Sequence, residues 1–140
     1  MPFTWRTLLA TIPVVLLLAC GNKQASRDEV QSALRKSSSL AYETEIFVQY
    51  ISQGRSTRYF ALGHLQHLRD EVNRANRDIS NLSAPPTLMN ALNVDRVQLE
   101  ALGELIDDSC RTPGQSSALD ASLKRIRDIR IALQRASSSI

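Results

Sequence analysis

Cysteine, glycine, proline and histidine are all scarce in this chain. Its 140 residues include two Cys, two His, five Gly and five Pro. Each scarcity removes a class of chemistry. Covalent haem attachment needs Cys-x-x-Cys-His, and neither part of that motif occurs. A ferritin-like di-iron centre needs Glu-x-x-His on two helices, and the motif is absent. No glycine-rich phosphate loop exists, and no Ser, His and acid group stands at a spacing that suggests an activated nucleophile. A Met–His haem would have to join Met89 to His64 or His67. Roughly 27 Å of helix lies between His67 and the turn before Met89, too far for one haem. No cofactor and no enzymatic activity is expected. Charge of one sign is also lacking. Lys plus Arg is 17 against 14 for Asp plus Glu, with no five-residue basic run, so a nucleic-acid partner is not expected.

Few backbone breakers, with abundant Leu, Ala, Arg, Gln and Ser, favour helices over sheets. Four stripes of apolar residues recur at helical spacing. The first follows Ser26, an N-cap with Asp28 and Glu29 in the next turn. It runs through Val30, Leu34, Ala41, Val48 and Ile51, with Ser37 and Thr44 filling the gaps, and stops at Gly54. The second, Ala61, Leu65, Leu68, Val72, Ala75, Ile79 and Leu82, is a heptad-like seam ended by Pro85-Pro86. The third holds Leu88, Leu92, Leu99, Leu102 and Ile106, with Asp95 interrupting. The simpler reading of that interruption is a small rotation that turns Val94 inward; the other is a buried carboxylate paired with an arginine. The fourth holds Leu119, Leu123, Ile126, Ile129, Leu133 and Ala136. Helices are therefore expected near 26–53, 57–82, 87–108 and 117–136. Short connections make an all-α, four-helix up-down-up-down bundle over 26–140. Acidic helix three is expected beside basic helix four.

The start of the chain has a different layout. Arg6 precedes an apolar run from Leu8 to Leu18, too short and too broken by Pro13 to span a bilayer. Leu17-Leu18-Ala19-Cys20 resembles the lipobox of bacterial lipoproteins; the resemblance covers residues 1–21. It implies a signal peptide over 1–19, cleavage before Cys20, and acylation of that residue, palmitate included. Gly21 after the cysteine implies outer-membrane sorting, with the domain facing the periplasm. Residues 20–25 would be the lipidated Cys and a short tether. Membrane lipid is then one partner, through acylated Cys20.

In such a bundle the turns near Gly54 and near Cys110 to Ser116 lie away from the membrane, and Pro85-Pro86 lies close to it. Tyr42, Phe47, Tyr50, Tyr59 and Phe60 gather toward the far end, with Arg55, Arg58, His64 and His67. These rings read either as plugs for that end of the core or as anchors for a partner. Tyr50, Arg55, Arg58, Tyr59 and Phe60 are the candidate partner-binding residues for an envelope protein. The alternative is a metal- or small-ligand-binding bundle using His64, His67 and Glu71, a weak Zn²⁺ set. Cys110, the remaining thiol, is expected to be free and inert, with an intermolecular bridge in a homodimer as the other use.

Overall fold

The computed structural model describes residues 24–140. The expected signal segment and Cys20 lie outside the described residues. Four helices account for most of the chain: α1 (Arg27–Ser52), α2 (Arg58–Ser80), α3 (Pro86–Arg111) and α4 (Ser116–Ser138). They pack as a four-helix bundle in which each helix lies beside the next and α4 closes against α1. Cross-helix pairs show the antiparallel sense: along α1 and α2, Lys36 meets Asp78 and Glu43 meets His64, and Arg27 at the start of α1 donates to Ile140 O, just past the end of α4. One diagonal is close, α1 to α3; α2 and α4 do not approach.

The caps explain the boundaries. Ser26 and Glu29 form a reciprocal capping box, the Ser26 N–H donating to Glu29 Oε2 at 2.6 Å and the Glu29 N–H to Ser26 Oγ at 3.2 Å. At the other end of α1, Gly54 adopts φ +69°, a left-handed value that costs glycine nothing. Its N–H donates to Ile51 O and the Arg55 N–H to Tyr50 O, the paired bonds of a Schellman stop. Thr57 accepts from the Phe60 N–H to start α2. Pro85 and Pro86 begin α3, where a missing N–H is harmless.

The expected stripes form the core. Val30, Leu34, Val48, Leu65, Leu99, Leu102, Ile106, Ile126 and Leu133 are fully enclosed. Ser37 and Thr44 fill their places in α1 without exposure; Thr44 Oγ1 donates to Leu40 O at 2.8 Å, so its hydroxyl is satisfied within the helix. Leu82, Leu88 and Leu123 are only partly covered.

Three expectations need correction. First, the stripe of α3 does not rotate at Asp95. Asp95 is 0% exposed and Val94 is 38% exposed. The carboxylate does face the core, and its partner is the Ser37 hydroxyl of α1 rather than an arginine. Second, α3 and α4 are neighbours, but among the described residues no ion pair joins them. The arginines of α4 reach Glu45 of α1, at 2.9 Å from Arg127 and 2.6 Å from Arg130, while Asp107 of α3 takes Arg69 of α2. Third, Ala25 belongs to the domain rather than the tether. It is buried, and its N–H donates to Ser83 O in the α2–α3 turn at 2.6 Å.

Candidate functional site: an aromatic face near the α1–α2 turn

The end of α1 and the start of α2 build this face together. Ala41, Thr44, Val48 and Ile51 turn inward. Residues four apart lie one above another on a helix, so Tyr42, Ile46 and Tyr50 form a single outer ridge, each with a large part of its side chain in solvent. Across the turn, Thr57 sets the phase of α2. Ala61 goes inward, while Tyr59 at 91% and Phe60 at 57% remain exposed.

Phe47 is the hub. It is 8% exposed, and its ring lies 6.4 Å from Tyr50, 6.0 Å from Phe60 edge-on, and 4.1 Å from His64. Phe60 and His64 are nearly parallel at 6.1 Å. These separations are those of interacting rings. The reading of the rings as core plugs therefore holds for Phe47 alone. The other four rings are exposed.

Tyr42, Ile46, Phe47, Tyr50 and His64 frame an open apolar groove of ≈ 360 Å³, with Glu43 at its rim. Glu43 Oε1 stands 3.6 Å from His64 Nε2, an ionic contact only when the imidazole carries its second proton.

The remaining candidates divide. Arg55 and Arg58 are exposed. Arg58 lines a different feature, a cleft of ≈ 670 Å³ between the α1–α2 and α3–α4 turns that also includes Arg111, Gly54 and Leu119. The shared cleft puts those two turns at one end of the bundle, as expected. Arg111 donates to Asp108 at 2.8 Å. Tyr59 makes no ring contact among the described residues, so of the five candidates Tyr50 and Phe60 join the hub, while Tyr59, Arg55 and Arg58 are exposed apart from it.

The weak metal set does not converge. The rings of His64 and His67 are 6.1 Å apart, but Glu71 is taken by Arg74 at 2.8 Å. Among the described residues no three His, Cys, Asp or Glu side chains group as ligands. Cys110 is a free, half-buried thiol. Burial pushes its pKa up, Asp107 adds to the rise, and Arg111 opposes it, so thiolate chemistry is disfavoured.

Ile46 is the member of the face that the stripe analysis passed over. It is apolar but off the inward strip, and its signal is the four-residue spacing from Tyr42 and to Tyr50. Comparisons of the chain with protein-family models, with curated proteins and with solved structures gave no match, so the site is read from its own residues.

Proposed function

We propose that the chain is a bacterial lipoprotein, acylated at Cys20 and held on the periplasmic face of the outer membrane, whose helical domain is a non-enzymatic module that docks an envelope protein through the aromatic face. The observation that carries the docking reading is where the exposed apolar bulk lies. Of eight large hydrophobic side chains exposed among the described residues, four meet around Phe47 and His64: Tyr42, Ile46, Tyr50 and Phe60. Single exposed apolar residues need no explanation, whereas a contiguous cluster marks a binding surface. Aromatics are the commonest anchors of such surfaces. The lipid reading rests on Arg6, the short apolar run and Leu17-Leu18-Ala19-Cys20. Among the described residues no helix is long and apolar enough to cross a membrane.

Two measurements test the two halves separately. Cells fed labelled palmitate should label the native chain and fail to label Cys20→Ser; equal labelling of both overturns the lipoprotein assignment. A photo-crosslinking residue at Tyr50 should capture one envelope protein, while the same residue at exposed Asn90, near the opposite end, should not. Equal capture from both positions, or none from Tyr50, overturns the docking face.

A further inference from the structure

One polar contact crosses the core along its close diagonal. Ser37 Oγ lies 2.6 Å from Asp95 Oδ2 and 3.2 Å from the carbonyl oxygen of Ala33. Both side chains are 0% exposed, and Asp95 Oδ1 has no partner. A serine hydroxyl has a single proton to donate. If Asp95 is ionised, that proton must go to Oδ2, and Oδ1 holds its share of a negative charge with no donor in an apolar interior, a costly state. If Asp95 is protonated, every proton has an acceptor. The Oδ2–H donates to Ser37 Oγ, Ser37 donates to Ala33 O, and Oδ1 becomes a neutral carbonyl oxygen. The observed spacing accommodates the whole of that relay.

We propose that Asp95 and Ser37 form a pH-sensitive latch between α3 and α1, closed while the Asp95 carboxyl holds its proton and weakened when that proton leaves to solvent. Among the described residues no ion pair reaches Asp95, and the pairs made by the helices packed against α3 lie elsewhere. Lys36 of α1 binds Asp78 of α2. Glu45 of α1 binds Arg127 and Arg130 of α4. On α2, Arg74 binds Glu71, and Arg69 binds Asp107 and Asn73. Burial pushes the Asp95 carboxyl up to about 7, opposed only by the Ser37 hydrogen bond, with no charged neighbour contributing. The latch also bears on the aromatic face. Ser37 is on the helix that carries Tyr42, Ile46 and Tyr50, so loosening α1 from α3 acts on the helix that presents the ridge.

The test is a carbon-detected titration of the aspartate side-chain carboxyls in the full-length chain in detergent, with Asp95 assigned by the resonance missing from Asp95→Asn. A midpoint near 7 is expected for Asp95. In parallel, the folding constant of the native chain should fall about a hundredfold between pH 5 and pH 8 through this group. Asp95→Asn should lack that part of the fall, because its amide N–H₂ donates to Ser37 at every pH. Every other titratable group is common to both chains, so the difference between chains isolates Asp95. Amide protection factors along the middle of α1, taken relative to the intrinsic exchange rate at each pH, should also be lower at pH 8 than at pH 5 in the native chain alone. A midpoint below about 5, or an equal pH dependence in both chains, overturns the latch. Should Asp95→Asn fail to fold, the native chain's carboxyl that titrates apart from the rest still decides the matter.

Discussion

At the residue scale, two carboxylates pull the stability of this bundle in opposite directions with pH. Burial alone would raise Glu45, but the bonds from Arg127 and Arg130 outweigh it and hold its carboxyl below the usual range. A lowered folded-state pKa stabilises at and above the unfolded value and is lost as pH falls through the folded one. The pKa of Asp95 is raised, so its contribution is fullest near and below the unfolded value and declines as pH climbs toward about 7. The two slopes predict a stability maximum near pH 4 and a decline from there to about pH 7. Thermal unfolding of the full-length chain followed across pH 3 to 9 checks this. A flat or alkaline maximum would contradict both assignments. Glu45→Gln should cost about 1–3 kcal/mol at pH 7, by leaving the largely covered Arg130 with a weaker acceptor, and should remove the acid limb only. The sequence carries no sign of Glu45's role, and for Asp95 it offers a buried carboxylate only as the second reading, with an arginine rather than Ser37 as the partner. Asp95 interrupts an apolar stripe, and a one-dimensional pattern treats a charge there as a slip in phase. What turns it inward is Ser37, far away in the chain. Glu45 sits one position from the inward strip of α1, and only the approach of α4 encloses it.

At the scale of elements, the junction of α2 and α3 hinges on one close approach. A Cβ placed on Gly103 would overlap Arg69 Nη1 and lie 2.9 Å from its Cζ. That guanidinium is in use: Arg69 Nε donates to Asp107 at 3.0 Å and Nη1 to Asn73 at 2.6 Å. Gly103→Ala gains roughly 1 kcal/mol of helix propensity and displaces Arg69 from bonds worth a similar amount in this partly exposed setting. The expected result is a change within about 0.5 kcal/mol in the native background and stabilisation of about 1 kcal/mol where Arg69→Ala has already cleared the space. Denaturant unfolding of the four chains in that cycle measures the coupling; simple additivity would show that the two residues do not compete. Element boundaries were far more legible than such junctions. Ser26 with Glu29, Gly54, and Pro85-Pro86 each act within a few residues of themselves, so local chemistry places the helix ends. Charge across helices is not local. An acidic α3 beside a basic α4 looks like a pairing in composition, yet the long arginines of α4 reach toward α1, where Glu45 offers two oxygens at once.

For the whole molecule, the docking reading predicts that surface and core respond differently to the same kind of change. Ile46→Asp on the exposed ridge should shift stability by no more than about 0.5 kcal/mol and abolish crosslinking from Tyr50. Leu99→Ala in the core should cost about 2–5 kcal/mol. Circular dichroism melts and the crosslink yield separate the two effects, and an Ile46→Asp chain that still crosslinks fully would remove the ridge from the interface. The grouping of aromatics toward one end could be read from the chain, but which rings face out could not. Phe47 and Tyr50 are one turn apart, and only the proximity of α2 covers the first while leaving the second in solvent. The bond from the Ala25 N–H to Ser83 sets one more property of the molecule, its height. With Ala25 pinned to the α2–α3 turn, a chain acylated at Cys20 has a leash of at most about 18 Å. α1, at 26 residues, is about 39 Å long. On the proposed anchoring, an upright α1 would carry the aromatic ridge on the upper half of that span. A partner whose docking element lies flat on the headgroups would pass beneath it, whereas one that projects some 30–50 Å into the periplasm would meet it directly.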